Sequence, residues 1–137
     1  MEKLTKKYKF VIRGMPLTKD NVKIKNPKTG KYFLPSRYKK YEELVKWEII
    51  QQKPRGFKMI DAPVMLQLDF YFPDYRRRDV LNYTKSVCDA LTGIVYKDDN
   101  LVEKAVVTKW IDKKNPRVEI AVEEIDKDYS WIVVEKF

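Results

Sequence analysis

The sequence predicts an α+β fold: one domain over residues 1–137, with a mixed or antiparallel sheet of four to five strands and two main helices. Three observations carry this. The chain has 137 residues, 44% of them hydrophobic, which is one ordinary domain with enough apolar side chains for a core. Two stretches, 36–52 and about 79–91, have helical spacing. The remaining apolar segments are short, rich in β-formers and bounded by turn residues.

In chain order, "YKFVIRG" (8–14) alternates weakly and reads as a strand. Residues 15–36, with three prolines and many polar breakers, read as a long loop or hairpin turning at Asn26–Gly30. "SRYKKYEELVKWEIIQQ" (36–52) is the clearest helix, with Ser36 as its N-cap and Pro54 and Gly56 ending it. "PVMLQLDFYF" (63–72) reads as a largely buried strand. A second helix is capped by Asp79, runs to about Leu91 and stops at Gly93. Strands at 103–111 and 116–125 flank a "DKKNP" turn, and "YSWIVVEKF" (129–137) reads as a last strand or an edge.

Composition narrows the chemistry. There is no histidine, which removes Ser-His and Cys-His catalysis and imidazole metal sites. A single cysteine, Cys88, excludes an internal disulfide framework and a cysteine zinc site, and fits a reducing cytoplasm. No apolar run is long enough to cross a membrane, and the first residues lack a signal-peptide pattern, so no membrane association is expected. Net charge is +9 and unevenly placed: residues 1–60 carry 17 Lys/Arg against 5 Asp/Glu, residues 61–137 carry 12 against 15. The basic half points to an acidic partner, most commonly nucleic acid. The 15–36 loop supports this, since Lys23, Lys25, Lys28 and Lys31 suit phosphates and Tyr32 and Phe33 suit base stacking.

The stretch "YRRRDVLNYTKSVCDALTGIVYKDDNL" (75–101) holds the site candidate. In a helix capped by Asp79, the polar arc carries Asn82, Lys85, Ser86 and Asp89, and the opposite arc includes Leu81 with Val87 and Leu91. Asp98 and Asp99 follow as neighbouring carboxylates that repel unless a cation or basic groups compensate. Either can meet Asp79 across the turn, giving an oxygen-only site suited to Mg²⁺ or Mn²⁺. Lys85 then contacts a phosphate or assists proton transfer, while Arg76, Arg77 and Arg78 clamp flanking phosphates.

The order "RRRDVLNYTK", "CDALTGIVYKDD", "NLV" resembles the RusA family of Holliday junction resolvases, small endonucleases common in prophages. The likeness extends through the Gly-x-Pro opening at 14–16, the basic loop and the first helix, over about residues 8–124. It implies a homodimer that binds a four-way DNA junction and makes paired, symmetric, Mg²⁺-dependent nicks in recombination and repair. Carried over residue by residue, Asp79 is the first metal-binding acid, Asn82 and Lys85 are the motif asparagine and lysine, and Asp89 is the D-A-L aspartate. Asp98 and Asp99 are the D-D pair, with Asp99 the better match for the essential acid. One position departs: the family's second acid is Leu81 here. Three readings follow. Another acid completes the site, with Asp89 or Asp98 nearer choices than Asp69 or Asp74. Or the site runs with fewer protein ligands. Or cleavage is lost and a non-catalytic junction binder remains.

Overall fold

The computed structural model describes residues 6–18, 24–33 and 36–125. Its elements are β1 (Lys7–Arg13), β2 (Ile24–Lys25), β3 (Tyr32–Phe33), α1 (Ser36–Gln52), β4 (Val64–Phe72), α2 (Val80–Leu91), a 3₁₀ turn (Asp99–Leu101), β5 (Val102–Ile111) and β6 (Arg117–Glu124). The main sheet has four strands in the order β1-β6-β4-β5. β6 is antiparallel to both β1 and β4, while β4 and β5 are parallel, so the sheet is mixed, as the sequence predicted. Ser36 is the first helical residue rather than the cap, a one-residue difference of the usual size at a helix end. The expected strand at 129–137 lies outside the described residues.

The core follows from period-2 patterning on one face of the sheet. Along β4, Val64, Leu66, Leu68, Phe70 and Phe72 are fully buried, while Met65, Gln67, Asp69 and Tyr71 point to the other face. This agrees with the reading of β4 as a largely buried strand: one face is covered, and neighbouring side chains half-shield most of the other. Phe10 and Ile12 of β1 and Val118, Ile120 and Val122 of β6 extend the buried face, and α1 and α2 close over it with Val45, Ile49, Tyr83, Val87 and Leu91. Tyr83 sits edge-on to Phe72 at 5.0 Å and to Phe70 at 5.9 Å, fixing the start of α2 against the end of β4.

The two edges of the sheet differ. On β1, the Gln52 side-chain amide from the end of α1 imitates a neighbouring strand: its Oε1 accepts from Val11 N at 2.7 Å and its Nε2 donates to Val11 O at 2.8 Å. β5, the opposite edge, carries no such cover among the described residues, and Glu103–Val106 are exposed. The outer sheet face is braced near the end of β4 by a stacked row. The Arg117 guanidinium lies 3.7 Å over the Tyr71 ring, and Tyr71 stacks on Trp110 at 6.3 Å.

Replacing Gln52 by Ala strips both Val11 groups of their partner. Urea unfolding of the variant is expected to show a loss of about 1–3 kcal/mol; an unchanged midpoint contradicts the role given to this amide.

Candidate functional site

α2 starts where β4 ends. Asp79 caps it with extended backbone (φ −91°, ψ 102°), and its Oδ1 accepts from Leu81 N at 3.0 Å. Asp79 is exposed, so Oδ2 stays available to solvent or an ion. Lys85 and Asp89 are also exposed on α2, and neither makes an ion pair among the described residues. The loop before β2 is pinned to the same helix by Thr18. It is 1% exposed, with its hydroxyl 3.2 Å from Ser86 Oγ and donating to Asn82 O at 3.3 Å. No sequence signal marks this threonine among its polar neighbours.

Leu81 is 70% exposed, which overturns its expected place on the apolar arc. The buried face of α2 is Tyr83, Val87, Ala90 and Leu91. Residues 81, 85 and 89 recur at i+4 and form one outward stripe with Leu81 at its head. The apolar side chain thus stands in solvent, where the family motif has its second carboxylate.

Arg78 differs from the other two arginines. Its side chain is 5% exposed, its Nη1 is 2.8 Å from Asp74 Oδ1, and its guanidinium lies 4.7 Å over the Phe72 ring. It therefore ties the 73–79 segment to the end of β4 and is not free to clamp a phosphate as expected. Arg76, 84% exposed with Asp74 3.8 Å away, and Arg77 remain outward. Asp74 and Asp69, considered as replacement acids, are both engaged: Asp74 with Arg78, and Asp69 accepting from Trp110 Nε1 at 2.9 Å.

Asp98 and Asp99 lie at the other end of α2. Asp98 caps the 3₁₀ turn, its Oδ1 accepting from Asn100 N at 3.2 Å. That backbone hydrogen bond, followed by the contact with Asp99, lowers the Asp98 pKa. The Asp99 pKa is raised, first by the hydrogen bond with the Asp98 carboxyl, and the charges of Asp98 and Asp89 add to it. The two carboxyls share a hydrogen bond, and a cation beside them would relieve the repulsion between their charges.

These groups do not form one site within a chain. Tyr83 and Arg78 hold the Asp79 end of α2 against Phe72. The other end returns to the start of β4, where Ile60 N donates to Val95 O at 2.8 Å and Val102 pairs with Val64. Asp79 and Asp89 are about 15 Å apart along the helix axis, and Asp79 and Asp99 lie at opposite ends of the 12-residue α2, on the order of 20 Å apart. The expected meeting of Asp79 with Asp98 or Asp99 across the turn is thus corrected. No group of three or more His, Cys, Asp or Glu side chains able to hold a metal ion is present among the described residues. The donor chemistry at each end, oxygen only, still suits a hard divalent ion. In the basic hairpin Lys25, Lys28, Lys31 and Tyr32 are exposed around a turn closed by Gly30 N donating to Asn26 O at 2.8 Å. Lys23 and the Phe33 side chain lie outside the described residues.

Among the described residues, no helix is long and apolar enough to cross a membrane. The family model for endodeoxyribonuclease RusA matches residues 13–123. A crossover junction endodeoxyribonuclease RusA from Aquifex aeolicus (strain VF5) is 33% identical over 112 residues, covering 79% of this chain and 84% of that protein. The uncharacterized protein YqaN of Bacillus subtilis (strain 168) is 28% identical over 147 residues, covering 85% of this chain and 96% of that protein. The chain belongs to the RusA endodeoxyribonuclease family.

Two ion pairs set an acid limit. Arg78 lowers the Asp74 pKa and Arg117 lowers that of Asp112, in each case chiefly through a side-chain hydrogen bond. Depressed carboxylates stabilise the fold fully above their unfolded pKa, about 4, and lose that contribution as pH falls through the lowered folded values. Arg78→Met and Arg117→Met are expected to lower the urea midpoint at pH 7 and to flatten its fall below pH 4; a parallel fall in variant and parent contradicts this assignment.

Proposed function

We propose that this protein is a divalent-metal-dependent endodeoxyribonuclease that acts as a homodimer on branched DNA, a four-way junction above all, and nicks two opposing strands in recombination and repair. Family membership and the name of the Aquifex relative support the reaction class. The single observation that carries the dimeric form is the separation of Asp79 from Asp98 and Asp99 by the length of α2. A two-fold axis can bring Asp79 of each chain to Asp99 of the partner subunit, building two equal sites from two incomplete ends. Paired sites suit a substrate with two equivalent scissile strands.

In this reading Asp79 and the Asp98–Asp99 pair hold Mg²⁺, or Mn²⁺ in its place, with Asp89 adding negative charge nearby. Bound there, the ion would lower the pKa of water and neutralise charge on the scissile phosphate. Lys85, less than two turns from Asp79 on the exposed stripe, holds the non-bridging phosphate oxygens or hands a proton to the leaving oxygen. Asn82 keeps the start of α2 in register, its N–H donating to Asp79 O at 3.1 Å. Arg76 and Arg77 meet flanking phosphates, the hairpin lysines follow a duplex arm, and Tyr32, 66% exposed, stacks on an unpaired base.

A second reading rests on Leu81. Its 70% exposure puts a desolvating isobutyl group where the motif has a ligand, which favours a junction binder with reduced or absent cutting.

A labelled synthetic four-way junction incubated with Mg²⁺, Mn²⁺ or EDTA, beside a gel shift on the same DNA, separates the two. Paired metal-dependent nicks are expected, and Asp79→Asn and Asp99→Asn are each expected to slow cutting by at least about 100-fold while binding persists. Cutting that survives both substitutions contradicts the proposed site, and tight binding with no product in either metal selects the binder. Arg76→Ala and Arg77→Ala are each expected to weaken binding and to reduce the salt slope by about one. Arg78→Ala is expected to act on stability instead.

A further inference from the structure

We infer that the outward face of Trp110 is a stacking site for an unpaired base of the DNA, the last member of a column of planar groups that the sheet holds in place. This rests on the nucleic-acid reading above and deepens it by assigning a second contact, across the sheet from α2.

The column is set by strand register. Arg117 of β6, Tyr71 of β4 and Trp110 of β5 are paired positions in neighbouring strands, so their side chains share the outer face. The Arg117 guanidinium lies 3.7 Å over the Tyr71 ring. Trp110 reaches that ring from the strand on the other side, its centroid 6.3 Å away and its plane tilted by only 17°. β5 is the last strand of the sheet among the described residues, so Trp110 ends the column. It is 48% exposed, and among the described residues it meets no ring or cation besides Tyr71.

This end member is fixed and lies among positive charges. Its Nε1–H donates to Asp69 Oδ1 at 2.9 Å, which sets the orientation of the ring and satisfies the one donor it has. What remains is a π face that takes any base without reading its edge. Arg117 is held in turn by Asp112 and Glu119, each at 2.9 Å, so the stack loses little freedom when a base is added. Asp69, Asp112 and Glu119, the acids of this patch, are thus all engaged by Trp110 or Arg117. Lys109, Lys113 and Lys114 are exposed beside them and suit phosphates. Packing accounts for the side of the indole against Tyr71, but it gives no role to the immobilised side in solvent.

The column lies at the Asp79 end of the sheet. Ile111, next to Trp110, pairs with Phe72, and Asp112 N donates to Phe72 O at 2.8 Å. Arg78 and Tyr83 hold the head of α2 on the ring of the same Phe72. A DNA strand that leaves a phosphate at Asp79 can thus round this end of the sheet and set a base on Trp110.

The test reads tryptophan emission in a full chain whose only indole is Trp110, made with Trp47→Phe and Trp131→Phe. The probes are an oligothymidylate and an abasic deoxyribose-phosphate chain of equal length, titrated in EDTA so that nothing is cut. The expected result is quenching by the oligothymidylate, which binds at least about fivefold tighter than the abasic chain. Trp110→Leu in the otherwise unaltered protein is expected to abolish that preference and to leave affinity for the abasic chain unchanged, while Trp110→Phe keeps part of it. A preference that survives in Trp110→Leu overturns the proposal and assigns the bases to another ring, such as Tyr32. Equal affinity of the parent for the two chains overturns it as well. So does Trp110 emission that acrylamide fails to quench in the free protein, which places another segment of the chain on the ring. The emission readings need no change at position 110, so they decide the matter even if the leucine variant does not fold. Cleavage of a four-way junction with Mg²⁺ by the unaltered protein is measured beside them. Metal-dependent nicks without a base preference sink the stacking site and leave the proposed function standing; a Trp110-dependent preference without nicks supports the site and selects the junction binder.

Discussion

The parallel pairing of β4 with β5 governs the rest of the molecule. Two parallel strands cannot be joined by a tight turn, so the chain must travel back along the full length of β4 before β5 begins. α2 makes that return, 12 residues long and packed by Tyr83 and Leu91 on the buried face of the sheet. The residues before α2 are therefore left at one end of the sheet and those after it at the other. The acids at the two ends of the motif, Asp79 and Asp99, therefore stay at opposite ends of α2 in the fold.

This separation gives the charges their meaning. At one end, Asp74 is satisfied by Arg78 and Asp69 by Trp110, so Asp79 is left as the exposed carboxylate beside the 76–78 arginines. At the other, Asp98 and Asp99 are pressed together with Asp89 nearby, and Asp99 holds its proton more tightly for it. In the proposed dimer each end supplies half of an oxygen-ligand site. Leu81 sharpens the point. Under the proposed function, the exposed Leu81 leaves the site one motif acid short.

Much of this was legible in the sequence, for identifiable reasons. Helices 36–52 and 80–91 and the four strands of the main sheet emerged within a residue or two, because apolar spacing, Asp79 as a cap and Gly93 as a stop are local signals. The family emerged from "RRRD", "NYTK" and "DD", since a motif survives in order even when its distances are unknown. The distance between Asp79 and Asp99 did not emerge, because loop spacing says nothing of whether flanking strands run parallel. Leu81 was misplaced because the centre of a helix's buried face is set by what packs on it, here Tyr83 and Ala90, and an assumed arc was off by that rotation. Arg78 looked like its two neighbours until the Phe72 ring and Asp74 claimed it.

The central claim is that each site draws Asp79 from one chain and Asp99 from the other. Mixing subunits tests it most directly. Asp79→Asn and Asp99→Asn chains carrying different tags are co-expressed, the heterodimer is isolated and its nicking of a four-way junction is compared with that of each homodimer. If the acids act across the interface, one site of the heterodimer loses both acids and the other keeps both, so single-strand nicking returns where neither homodimer cuts. If the heterodimer is as inactive as its parents, the acids act within one chain and the claim fails.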